Sequence, residues 1–127
     1  MYLILKLKDW MSKPVITIHP NLTVQTACKY MSKYSIGSLV VADKHKPVGI
    51  VTERDVIIKV IAKGKDPKKM TVGKIMSVQV ATADIRDTFM KVADMMQSKN
   101  YRRIVITDTG DIVGILTSRD LIKMISA

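Results

Sequence analysis

Two short motifs in the sequence carry oxygen atoms that could bind the hydroxyl groups of a sugar. Thr52 is followed three residues later by Asp55, and Thr117 is followed in the same way by Asp120. A carboxylate at a helix start can accept two hydrogen bonds from a vicinal diol, such as that of a ribose, while the threonine adds a third contact. Because the carboxylate would repel a nearby phosphate, the motifs favour the sugar end of a nucleotide.

The same residue types also satisfy the backbone at a helix start. A threonine N-cap with an acidic residue at the third helical position is a common capping arrangement. Capping explains Thr52 with Asp55, and Thr117 with Asp120, without any ligand. The sequence alone leaves both interpretations open.

The first candidates for binding the phosphate of a nucleotide are Arg102 and Arg103, which are positively charged. They open a predicted strand, Tyr101–Ile106, where the first half of the chain has Gly37 and Ser38. Side chains alternate along a strand, so at most one of the two arginines faces a ligand unless the strand begins later. The alternative for both is a solvated surface charge. Second candidates are the arginines inside the two motifs, Arg54 and Arg119.

The elements that hold these motifs come from an internal repeat. An offset of 65 residues aligns Met11 with Met76 and needs no gap through Ile57 and Ile122, and about a third of the aligned positions are identical. Such self-similarity predicts two copies of one structural unit. We place the copies at residues 9–63 and 75–126, with 64–74 as a polar linker.

Each copy predicts the element order β-α-β-β-α. In the first copy, Val15–Ile18 predicts a strand, and apolar residues at helical spacing behind Thr23 predict a capped helix. The runs Leu39–Val41 and Val48–Val51 predict a hairpin, after which helical spacing resumes behind Thr52. Because such a small sheet cannot bury both faces alone, we expect the two units to pack sheet to sheet about a pseudo-two-fold axis.

Gly49 and Gly114 lie inside predicted strands, within the sequences Gly-Ile-Val-Thr-Glu-Arg-Asp and Gly-Ile-Leu-Thr-Ser-Arg-Asp. Glycine in a strand usually marks a close approach by backbone or ligand. Tight packing of the sheet on a helix is the alternative.

These motifs resemble those of CBS domains, the module named after cystathionine β-synthase, paired as a Bateman module. The shared features are Met-Ser, Val-x-Thr, Thr-x3-Ala/Val, Val-Val/Ile-x-Asp and the glycine-led motif, each present twice. The resemblance covers residues 9–126. It implies an α+β fold and a regulatory module that binds AMP, ADP, ATP or S-adenosylmethionine in the cleft between the units.

The resemblance also implies roles for individual residues. The adenine is expected to contact backbone of the first strand of each unit, and basic residues at Arg102 and Arg103 are expected to meet phosphates. Because only the second copy has these arginines, we expect two unequal sites, with Thr52 and Asp55 reaching across to Arg102 or Arg103. The expected nucleotide-binding residues are Ile16, Thr17, Thr52, Arg54, Asp55, Ala81, Thr82, Arg102, Arg103, Thr117, Ser118, Arg119 and Asp120.

The composition of the chain points to an alternative function, and the sequence lacks the motifs of an enzyme or a metal site. The net charge of +10 admits a basic nucleic-acid-binding or scaffold protein, although single-strand binders usually add aromatic stacking platforms and aromatic residues are few here. We find no catalytic constellation, metal-ligand spacing or cofactor motif, and expect no enzyme and no cofactor beyond an adenosine nucleotide as regulatory ligand. The single cysteine, Cys28, is expected to be a core residue.

The expected setting follows from the same reasoning. No apolar run reaches the length of a membrane span, and the start, Met1–Lys8, lacks the pattern of a signal peptide, so we expect a cytoplasmic protein that does not engage membranes. With no effector domain in the sequence, a regulatory output must pass through a homodimer or a separate effector protein.

Overall fold

The computed structural model describes residues 5–126, and the described chain forms two compact units. Residues 16–80 form the first unit, and residues 5–15 together with 81–126 form the second. Each unit has a three-stranded sheet with helices, which confirms the α+β fold. The elements of the first unit are β1 (Thr17–Ile18), α1 (Val24–Tyr34), β2 (Ser38–Asp43), β3 (Lys46–Thr52), α2 (Glu53–Val56), a π-helix (Ile57–Ile61) and a 3₁₀-helix (Val72–Lys74). Those of the second are a 3₁₀-helix (Leu7–Asp9), β4 (Thr82–Asp84), α3 (Phe89–Lys99), β5 (Arg103–Asp108), β6 (Asp111–Thr117) and α4 (Ser118–Ser126).

The predicted order β-α-β-β-α is present in both units. In the first, β1 pairs in parallel with β2, and β2 pairs antiparallel with β3. The hairpin turns at Lys44 and His45, both with positive φ, as the tightest hairpin turns require. A register irregularity beside Ala42 admits Pro47, which has no amide to donate to the strand ladder.

The first strand is shorter than the sequence predicts. The run Val15–Ile18 predicts four residues, whereas β1 has two. The following helix begins as expected, since the Thr23 hydroxyl accepts a hydrogen bond from the Thr26 amide. Its buried face, formed by Val24, Ala27 and Met31, packs into the core of the first unit.

Two short segments, each overlapping the start of one sequence copy, pack in the unit that is formed mainly by the other copy. The N-terminal segment (residues 7–12) lies in the second unit, where the buried Leu7 enters the core. The middle segment (residues 72–77) lies in the first unit, where Val72 and Ile75 enter the core. The compact units therefore differ from the repeats 9–63 and 75–126. The repeat follows the order of the chain, whereas packing follows the contacts.

Gly49 and Gly114 lie where these two segments pack against the sheets. Ser77 and Ile50 exchange two backbone hydrogen bonds of 2.8 and 2.9 Å, and a Cβ on Gly49 would collide with the Ser77 carbonyl oxygen and the Met76 side chain. The equivalent atom on Gly114 would collide with the Met11 side chain. Each glycine thus allows a Met-Ser segment, rather than a helix, to pack closely against the strand.

The last helices of the two units differ. α4 is a regular α-helix, whereas the helical run of the first unit changes to a π-helix after Val56. The Ala62 amide accordingly bonds to the Ile57 carbonyl, five residues back. Over residues 5–126, no helix is both long and apolar enough to span a bilayer. The expectation for Met1–Ile4 lies outside the described residues.

Candidate functional site

The residues expected to bind a nucleoside lie at one end of the first sheet, where β1 and β2 begin and β3 ends; this end is called the sheet edge below. Parallel pairing sets Thr17, the first residue of β1, beside Val40, the third residue of β2, and antiparallel pairing sets Ser38, the first residue of β2, opposite Thr52, the last residue of β3. Ile16 and Thr17 therefore lie at the same edge as Thr52 and the helix that follows it. One intervening strand separates the two groups.

Asp55 is fixed by the capping arrangement. Its Oδ2 accepts hydrogen bonds from the Thr52 amide at 2.9 Å and from the Thr52 hydroxyl at 3.0 Å. The Asp55 amide donates to the Thr52 hydroxyl oxygen at 3.1 Å, and the Glu53 amide donates to the Gly37 carbonyl at 3.0 Å. The capping interpretation is confirmed. It uses Oδ2 and leaves the second carboxylate oxygen, Oδ1, to other partners.

The second unit repeats this geometry. Asp120 Oδ2 accepts from the Thr117 amide at 2.9 Å and from its hydroxyl at 3.0 Å. The Ser118 amide donates to the Arg102 carbonyl at 2.9 Å, as the Glu53 amide does to that of Gly37. The Ala81 carbonyl accepts from the Val105 amide at 2.9 Å, so the start of the first strand again lies at this edge.

Arg102 and Arg103 lie at the same edge as Thr117. β5 begins at Arg103, which is paired with Thr117, and Arg102 precedes the strand. The alternation that would send the two side chains to opposite faces therefore does not apply to Arg102. Both side chains are exposed, as are those of Arg54 and Arg119.

The predicted site residues differ in how far they are exposed to solvent. The half-buried side chains are those of the two Thr-Asp pairs, Thr52, Asp55, Thr117 and Asp120. The exposed ones are Thr17, Thr82 and Ser118, and the half-buried ones that offer backbone at the strand start are Ile16 and Ala81. The structure brings Ile16 and Thr17 to the same sheet edge as Thr52, Arg54 and Asp55, and it groups the others in the second unit.

Lys59 is a site residue that the sequence reasoning missed. Its Nζ lies 3.1 Å from Asp55 Oδ1 and donates to the Ile75 carbonyl at 2.8 Å. The signal for it is the spacing of four residues between Asp55 and Lys59, which places both on one helical face. The offset of 65 residues sets Lys59 against Met124, but Met124 is fully buried as Val60 is, because the π-helix shifts the last helical segment of the first unit by one residue. Within residues 5–126, Asp120 forms no ion pair.

Other chemistry is sparse in the described part of the chain. No group of three or more His, Cys, Asp or Glu side chains could hold a metal ion there. Cys28 is half-buried against the core of the first unit, and burial raises the pKa of its thiol. A raised pKa keeps the thiol protonated and weakly nucleophilic.

The family model of the CBS domain matches this chain twice, at residues 7–62 and 72–127. The chain belongs to the CBS-domain family. The two matches make it a tandem CBS pair, a module that is generally regulatory rather than enzymatic.

Similar proteins share the pair in different settings. The chain is 34% identical over 114 residues to an uncharacterized protein of Methanopyrus kandleri, covering 88% of this chain and 58% of that protein. It is 37% identical to the L-aspartate semialdehyde sulfurtransferase of Methanocaldococcus jannaschii, covering 92% of this chain and 22% of the enzyme. The chain thus spans about three fifths of one relative and less than a quarter of the other.

A solved structure shows a CBS pair with ligands. It is the CBS domain pair of protein MJ0100 in complex with 5′-methylthioadenosine and S-adenosyl-L-methionine. The TM-score is 0.80, the sequence identity is 33%, and the match covers 98% of each chain. Both ligands of that protein contain an adenosyl group with a ribose diol.

Proposed function

We propose that this CBS pair is a regulatory module that senses adenosine-containing ligands: AMP, ADP, ATP or S-adenosylmethionine. The observation that carries the proposal is that, in each unit, the start of the first strand and a half-buried Thr-Asp pair lie at the same end of the sheet, one strand apart. Backbone amides and carbonyls can bind the polar edge of an adenine, and the Asp Oδ1 can accept hydrogen bonds from the ribose. The adenosyl ligands of protein MJ0100 support the same class of ligand.

Phosphate binding falls to the arginines in this proposal. Arg102 and Arg103 are exposed beside the Thr117 end of β6, and their guanidinium groups suit phosphate oxygens. Only the second unit has them, since residues 37 and 38 are Gly and Ser. The pairing of Asp55 with Arg102 or Arg103, which belong to different units, stays a prediction, as does a ligand-binding cleft between the units.

The output of the module is expected to pass through another protein chain. The sulfurtransferase activity belongs to an enzyme of which the chain spans 22%. We propose that the CBS pair acts on a homodimer partner or a separate effector protein, because a ligand changes an output only by binding two states unequally.

A thermal-shift panel of AMP, ADP, ATP, S-adenosylmethionine and NAD tests the proposal. A ligand at 100 times its dissociation constant adds about 2.7 kcal/mol of stability. For a chain of this size, we expect an adenosine ligand to raise the melting temperature by several degrees, whereas guanosine monophosphate serves as the control. No shift with any adenosine ligand contradicts the proposal.

Substitutions separate ligand binding from capping. Asp55→Ala and Asp120→Ala each remove the carboxylate that accepts from the amide and hydroxyl of the N-cap threonine, and each should cost about 1 kcal/mol of stability. The proposal requires that they also weaken binding of the stabilising ligand. If stability falls while affinity is unchanged, the carboxylates are caps only.

Nucleic-acid binding, the alternative, rests on the net charge of +10. A salt titration with RNA and DNA addresses it, because neutralised phosphates give a steep loss of affinity with salt. Tight, salt-sensitive binding without any response to adenosine ligands favours that function.

A further inference from the structure

The two Thr-Asp pairs are alike in fold but differ in the number of acceptor positions left open. An ionised carboxylate has about four lone-pair positions. Asp55 uses two on Oδ2 for the Thr52 amide and hydroxyl, and a third on Oδ1 faces Lys59 Nζ. Asp120 uses only the two for Thr117 within the described chain.

A vicinal diol donates two hydrogen bonds. Asp120 has two open positions, both on Oδ1, whereas Asp55 has one. Lys59 cannot easily turn away to release the second, because the Ile75 carbonyl also holds its ammonium group at 2.8 Å. This carbonyl belongs to the middle segment, whose Ile75 side chain is buried in the core. The lysine is thus fixed from two sides.

We propose that Lys59 is a specificity-determining residue that makes the two ribose sites unequal. By occupying one acceptor position of Asp55, it reduces the recognition of the ribose diol in the first unit, while Asp120 in the second unit recognises both hydroxyls. This inference rests on the proposed function, since it assumes that both carboxylates face a ribose.

The test compares AMP with 2′,3′-dideoxyadenosine monophosphate, which lacks both hydroxyls. The amides of Thr52 and Thr117 each donate to the carboxylate in question, so their ¹⁵N–¹H signals report the two sites separately in one titration. In the unsubstituted protein, we expect loss of the hydroxyls to weaken binding about tenfold more at the Thr117 site, as one extra hydrogen bond to a charged group implies.

Lys59→Met removes the ammonium group that faces Asp55 Oδ1 and keeps an unbranched side chain of similar length. We expect the dependence on the hydroxyls at the Thr52 site to rise about tenfold and to match that at the Thr117 site. Lys59→Ala also leaves no donor for Asp55 Oδ1, and it should give a rise of the same direction if Lys59→Met fails to fold. Lys123→Met, on the last helix of the second unit, is the matched control and should change neither site.

The outcomes separate this inference from the proposed function. If AMP shifts both amides with equal dependence on the hydroxyls, or if Lys59→Met weakens AMP and its dideoxy analogue alike, the role of Lys59 is overturned while adenosine binding stands. If AMP shifts neither amide, the proposed function fails and the role of Lys59 fails with it.

Discussion

Replacing Gly49 with alanine tests whether the middle segment is held against the first sheet as the structure shows. The new Cβ would lie 2.8 Å from the Ser77 carbonyl oxygen and 2.5 Å from Met76 Sδ. The sulfur can move with its flexible side chain, but the carbonyl accepts a hydrogen bond from the Ile50 amide. Relief of the clash therefore requires residues 76–77 to move away from β3.

The expected cost follows from what this movement breaks. Two backbone hydrogen bonds join Ile50 and Ser77, at about 0.5–1.5 kcal/mol each. The better strand entropy of alanine returns about 0.5–1 kcal/mol. With the repacking of Met76, we expect a net loss of about 2 kcal/mol, measured by urea unfolding. Gly37→Ala is the control, because the atoms nearest to its Cβ would all belong to the exposed, flexible side chain of Glu53.

A second-site substitution sharpens the test. All the nearest atoms around Gly114 belong to the side chain of Met11, so Met11→Ala should restore part of the stability lost in Gly114→Ala. Met76→Ala should restore less in Gly49→Ala, because the Ser77 carbonyl remains in place. The reasoning is refuted if Gly49→Ala costs no more than Gly37→Ala, or if both glycines respond equally to the second substitution.

Three further predictions concern other parts of the chain. Leu7→Ala removes a fully buried side chain from the core of the second unit and should lower the free energy of unfolding by about 2–5 kcal/mol. Hydrogen exchange should then show faster opening in residues 81–126 than in residues 16–80. Equally faster opening in both ranges would contradict this prediction. The backbone amide and then the guanidinium of Arg86 hold the pKa of Asp84 below its ordinary value, so the stability that Asp84 contributes is present above that value and is lost as the pH falls through the lowered one. Arg86→Ala keeps the amide and should make acid unfolding less pH-dependent, and an unchanged pH profile would argue against this. Light scattering should show a dimer, and a strict monomer with and without AMP would exclude it.

Local signals in the sequence predicted the elements of each unit. Caps at Thr23 and Thr52 begin the helices where the sequence places them, because capping depends on residues three positions apart. The β-branched runs around residues 43–47 predicted the hairpin for a similar reason. The strand run from Val15 was too long, since only two of its residues find a partner on β2.

Contacts between distant residues could not be predicted in this way. The repeat places Met11 and Met76 at the start of each copy, yet they pack into the units that contain Gly114 and Gly49, respectively. Identical motifs are compatible with either partner. The role of Lys59 depends on its hydrogen bond to the Ile75 carbonyl, sixteen residues away, which no local spacing in the sequence indicates.

Calorimetric titration of AMP into the protein and into the double variant Asp55→Asn, Asp120→Asn tests adenosine sensing most directly. Asparagine keeps the shape of each capping side chain but replaces an acceptor oxygen with a donor. We predict saturable binding to the unsubstituted protein and at least about tenfold weaker binding to the folded double variant. Absence of binding to the unsubstituted protein, or equal affinity in both, would contradict the assignment of the Thr-Asp pairs to a ribose.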